Sequence, residues 1–139
     1  MNASFEEKSV WIQLVCVLGT FILYCLIAWT MLSHGVDTLV PFVGVFLSTV
    51  ILLVILLVVG HLLAALTGRI EKPDERDRLI VWRSESNSAW MLVVGIFAAI
   101  TAMLFSLSNV WIAHILILSL YLSQTMQYLF QIRYYRRGV

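Results

Sequence analysis

The sequence predicts an all-α, polytopic membrane protein. Its four spans form a small up-down-up-down helix bundle with both termini on one side of the bilayer. Three observations predict this. The chain has 139 residues, 61% of them hydrophobic and only 12% charged, with a mean hydropathy of +0.94; soluble domains carry roughly 25% charged residues. Its apolar residues gather into four runs, each near the ~20 residues that a bilayer core requires. Its basic residues all fall between or beyond those runs, on one side of the predicted membrane.

The length fits a single membrane domain over residues 1–139. A net charge of +1 leaves no electrostatic footprint for nucleic acid. Glu6 and Glu7 make the start of the chain acidic, and the apolar run behind it exceeds a signal-peptide core, so the first run is expected to remain as a span.

The first span covers about 11–32, interrupted mainly by Gln13 and Thr20, with Trp11 and Trp29 near its ends where indoles favour the interface. Cys16 and Cys25 both lie in it. Nine residues apart on a helix, they are too far separated along the axis for a disulfide and read as apolar filler. A turn over 33–38 lacks Lys and Arg, and Pro41 opens the second span, about 41–66, where its missing N–H costs nothing. Gly44 with Ser48, and Gly60, Ala64 and Gly68, recur at the four-residue spacing that lets helix backbones approach.

The connector, 67–87, is the densely charged segment. Pro73 suits a helix start, and Asp74 and Glu75 sit where the helix dipole favours negative charge. Arg78 is spaced to pair with Asp74 and Glu75. The expectation is a short surface helix, anchored by Trp82 and leading into the third span, about 88–107. Gly95, Ala99 and Ala102 give that span a small-residue face. A tight turn at Ser108 and Asn109 precedes the fourth span, about 110–132, closed by Arg133, Arg136 and Arg137.

Lys8, Arg69, Lys72, Arg76, Arg78, Arg83 and the three C-terminal arginines lie on one side of this layout, and both hairpin turns carry none. The positive-inside rule therefore puts the termini and the connector in the cytoplasm.

None of the four spans contains Asp, Glu, Lys or Arg. This argues against a proton-coupled pump, which needs a titrating group at depth, and against a carboxylate di-metal bundle. His34, Asp37 and His114 would be the only set with zinc-ligand chemistry on the turn side, and three unrelated interfacial residues are the plainer reading. No metal or cofactor is expected, and no phosphate loop or nucleophile elbow is present, so the expectation is a protein that is not an enzyme.

Two sets of residues remain. In the fourth span His114, Tyr121, Gln124, Tyr128 and Gln131 follow one another at helical spacing and form a single polar stripe. Amides facing hydrocarbon are unfavourable, so the stripe faces the bundle interior or a subunit contact: interhelical hydrogen bonds first, a polar cavity or oligomer pore as alternatives. In the connector Asp74, Glu75, Arg76, Asp77 and Arg78 offer a mixed-charge surface. It reads as a self-paired helix start or as a docking surface for a partner or anionic lipid heads.

The connector segment from Pro73 through Asp74, Glu75, Arg76, Asp77 and Arg78 to Trp82, Arg83 and Ser84 resembles that of a group of uncharacterised small prokaryotic membrane proteins, in which an Asp-Glu-Arg-Asp-type segment joins two helical hairpins. The resemblance implies an inner (plasma) membrane location and, since some members are encoded beside small helix-turn-helix regulators, a regulatory partnership. The leading expectation is thus a non-enzymatic membrane protein presenting its connector to a cytoplasmic or membrane protein partner. The alternative is a small-molecule or lipid carrier, or an oligomeric channel, using the polar face of the fourth helix. A homo-oligomer is a further expectation, because four short spans enclose little volume.

Overall fold

The computed structural model describes residues 5–67 and 74–137. Four long helices account for nearly all of them: α1 (Phe5–Ser33), α2 (Leu39–Thr67), α3 (Glu75–Leu104) and α4 (Asn109–Arg137). All four are long and apolar enough to cross a membrane. At 1.5 Å per residue a helix of 29 residues reaches about 44 Å, well beyond a hydrocarbon core of about 30 Å. The surplus sits at one end. There α1 begins with Glu6, Glu7 and Lys8, α3 with a charged first turn, and α4 finishes on Arg136 and Arg137.

α1 and α4 form the central pair, with α2 laid against α1 and α3 against α4. α2 makes only slight contact with α4, so the bundle is built from two helical hairpins joined along the α1–α4 seam. α2 is the most lipid-facing helix: only 11% of its most apolar window is buried, and Ile51, Val54, Ile55, Val58, Leu62 and Leu63 are exposed. An unbroken apolar face of this kind requires a bilayer around it.

The α3–α4 seam is the tightest. Ser84, Ser88, Gly95, Ala99 and Ala102 of α3 are buried against α4, whose Ser119 and Ser123 are buried in turn. A Cβ on Gly95 would overlap the Ser119 side chain, so this glycine sets the helix separation. The serine hydroxyls cost little there: Ser84 and Ser119 donate to carbonyls of their own helix, and Ser123 donates to Ser88 O across the seam at 3.2 Å. Gly60 does the same for α1 and α2, since a Cβ there would lie 2.6 Å from Ile12 Cγ2. Gly44 meets nothing within 4 Å and marks no seam in the bundle. Gly68 lies outside the described residues.

The hairpin turns lie at the end opposite the charges. Gly35 at φ 78° closes α1 and Ser106 at φ 56° closes the 105–108 turn, which starts earlier than the Ser108–Asn109 turn expected from the sequence.

The connector departs most from expectation. Residues 75–87 do not form a separate surface helix; they are the first turns of α3, continuous with the span. Neither proline nor glycine interrupts residues 74–94, and Ile80, Ser84 and Ser88 bury one after another against α4, so the helix has reason to continue. Arg69, Glu71, Lys72 and Pro73 lie outside the described residues.

Candidate functional site

Two groups of polar residues stand out, one at the charged end and one within the bundle near the turn end.

At the charged end, Asp74 caps α3. Its carboxylate accepts from Asp77 N–H at 2.8 Å, and Asp77 Oδ2 accepts from Asp74 N–H at 3.0 Å, a reciprocal capping box. The expected pairing of Arg78 with Asp74 or Glu75 does not form among the described residues; the Asp74 carboxylate is engaged in the cap instead. Glu75, Arg76 and Arg78 are exposed, and Trp82 is 67% exposed. Tyr135 O–H of α4 donates to Asp77 Oδ1 at 3.1 Å. Burial first, and the neighbouring Asp77 carboxylate second, push the Tyr135 phenol above its ordinary range.

Between this projecting part of α3 and the start of α1 lies a cleft of about 360 Å³, lined by Glu6, Asp77, Arg78, Val81, Trp82 and Glu85. Burial raises the Glu6 pKa, the Asp77 charge raises it further, and His61 opposes both. At the same end of the bundle, Arg136 pairs with Glu7 at 3.3 Å and lies over the Trp11 ring, while Asn87 donates to Tyr134 Oη at 2.6 Å and Arg83 lies over the Tyr134 ring.

Sequence reasoning missed one constellation here. His61 Nδ1–H donates to Leu57 O at 2.7 Å, and its Nε2, an acceptor when the ring is neutral, lies 2.8 Å from Ser9 Oγ and 3.4 Å from Gln13 Nε2. Ser9 is buried, and the set ties α1 to α2. The available signal was depth: Ser9 and Gln13 flank the start of the first span, and His61 lies at the same end of the second.

The fourth-span stripe is buried or partly buried along its length. Tyr121 and Gln131 are buried, and His114, Gln124 and Tyr128 are partly buried. Tyr128 O–H donates to Gln124 Oε1 at a long 3.4 Å. Tyr128 also packs with Val10, Leu14 and Ile132 in the α1–α4 seam. Towards the turn end the stripe meets aromatic rings: Phe21 stacks on Tyr121 at 4.7 Å, and His114 is flanked by Phe42 at 5.0 Å, Tyr24 at 5.9 Å and Trp111 at 6.3 Å.

Three polar atoms of this cluster are buried with no protein hydrogen-bond partner: Tyr24 Oη, His114 Nε2 and Tyr121 Oη. Each such group costs about 1–3 kcal/mol if it stays unsatisfied. His34, the other histidine near this end, is exposed and its Nδ1–H donates to Thr30 O at 2.7 Å. Among the described residues no three His, Cys, Asp or Glu side chains gather as metal ligands.

The fold and these sites define a small multi-pass membrane protein whose helices contact the lipid bilayer. No family model, curated protein or solved structure matches the chain.

Proposed function

We propose that this is a non-enzymatic membrane protein that presents the charged start of α3 to a protein partner on the cytoplasmic side. One observation carries the reading: Glu75, Arg76, Arg78 and Trp82 are exposed on a helix that runs on from a membrane span, beside a cleft walled by Glu6, Asp77 and Glu85. Because α3 is one continuous helix, these side chains are held in fixed register with the bundle. A rigid charged surface with an indole on it is chemically suited to protein recognition, since Trp and Arg dominate binding energy at interfaces. The capping box occupies Asp74 and Asp77, so they support the surface, and Glu75, Arg76 and Arg78 are the groups left to meet a partner.

The placement of every described Lys and Arg at this end supports an orientation with both termini and α3's start in the cytoplasm. The test is charge reversal at Glu75, Arg76 and Arg78 together, followed by gentle extraction and mass spectrometry. A stoichiometric protein that co-purifies with the wild type and is lost from the variant, with insertion unchanged, supports the reading. Co-purification that survives the reversal overturns it.

A further inference from the structure

The buried polar atoms near the turn end lie far from the charged surface, and their chemistry is independent of any docking there. His114 Nδ1–H donates to Val110 O at 2.7 Å; a carbonyl can only accept, so Nδ1 carries the proton. In the neutral ring Nε2 is then a bare acceptor, and it is buried without a protein partner. Tyr24, 2% exposed, holds its phenol O–H in the same situation, with ring centroids 5.9 Å apart. The pair thus offers one acceptor and one hydroxyl that both donates and accepts. A complementary molecule must bring a hydrogen-bond donor to His114.

The surroundings narrow its class. The spans contain no Asp, Glu, Lys or Arg, so nothing within the bilayer core would balance a charged ligand. The walls are rings: Phe42 stands edge-on to His114 at 5.0 Å, Phe46 stands edge-on to Tyr24 at 6.4 Å, and Trp111 flanks His114. Such walls favour a flat aromatic guest. The approach is from lipid. Phe42 and Phe46 also line an apolar cleft of about 240 Å³ between α2 and α4, completed by Leu39, Val43, Ala113, Leu116 and Ile117. Phe42 and Phe46 thus line this cleft and also touch His114 and Tyr24, so these two rings must turn aside for a guest to reach the two unpartnered polar groups, where α2 holds α4 only slightly.

We propose that Tyr24 and His114 form a binding site for an uncharged aromatic alcohol of the phenol or quinol class, which enters from the bilayer through the α2–α4 cleft past Phe42 and Phe46. The guest hydroxyl donates to His114 Nε2 and accepts from Tyr24. Binding involves no covalent step.

The test is solid-state NMR of the whole protein in lipid nanodiscs with 15N-labelled histidine. The His114 Nε2 resonance is assigned by its loss in His114→Gln. Trimethylhydroquinone is titrated against its dimethyl ether, which has the same ring and no donor. The expected result is a saturable shift of the His114 Nε2 signal with the quinol and none with the ether, with affinity reduced roughly fivefold to tenfold in Tyr24→Phe, the loss of one hydrogen bond. Three results overturn the proposal: no saturable shift, an equal shift with the ether, or a resonance already hydrogen-bonded to water and unmoved by the quinol. Should Tyr24→Phe fail to assemble, Phe46→Ala replaces it. That variant removes one of the two rings and is expected to speed exchange of the bound quinol, and unchanged exchange counts against the site.

Discussion

Tyr135 O–H donates to Asp77 Oδ1 at 3.1 Å, joining the last turn of α4 to the capping box of α3 across 58 residues of chain. Asp77 thus serves two purposes, closing the helix start with Asp74 and fastening it to the neighbouring helix. Tyr135→Phe is expected to lose about 1 kcal/mol, and Asp77→Ala about 2 kcal/mol because cap and tie go together. In a double-mutant cycle of thermal unfolding in micelles, the two changes are expected to couple by most of the Tyr135 value. Full additivity would show that the bond contributes nothing.

Glu6 gives a pH dependence with a definite sign. It sits five residues ahead of Trp11, and burial, followed by the charge of Asp77, raises its pKa above the ordinary 4.5. The folded protein therefore holds the proton more tightly than the unfolded chain. Stability falls as pH rises from about 4.5 through the higher folded value, since the folded state binds more protons in that window. Glu6→Gln removes this slope. The difference in unfolding midpoint between variant and wild type is expected to widen from pH 4 towards neutrality in favour of the variant; a constant difference would refute the assignment.

The spans were legible because lipid demands long apolar runs and tolerates no charge within them, which left little freedom in placing α1, α2 and α4. The burial of the stripe residues from His114 to Gln131 has a related reason: amides in a span avoid hydrocarbon. The continuity of α3 was not, because the charge density of 71–78 masks the absence of a helix breaker after Pro73. The Ser9–His61 tie was invisible to periodicity, since single polar residues on two different helices share depth but no pattern. Small-residue spacing was an uneven guide. It found Gly60 and Gly95, where backbones meet, and equally Gly44, where nothing does.

That contrast yields a stability prediction. Gly95→Val forces a branched side chain into Ser119 and is expected to destabilise the bundle by about 1–3 kcal/mol through overpacking. Gly44→Ala, on an open lipid-side groove beside Leu23 and Leu52, is expected to be neutral or slightly stabilising, because alanine is the better helix former. Equal effects in a thermal-shift assay would mean that the α3–α4 separation is not set at Gly95.

The orientation can be read from two positions. Val36 lies in the α1–α2 turn and Arg83 on the exposed start of α3, at opposite ends of the bundle. Turning the molecule over would place Lys8, Arg76, Arg78, Arg83, Arg133, Arg136 and Arg137 together on the far side, against the bias that governs insertion. In a background with Cys16 and Cys25 replaced by serine, Val36→Cys is expected to react with a membrane-impermeant maleimide in intact cells, and Arg83→Cys only after lysis. Labelling in the reverse pattern would place α3's start outside the cell and remove the cytoplasmic partner with it. Labelling of both in intact cells would mean a mixed orientation, which a one-sided distribution of basic residues is expected to forbid.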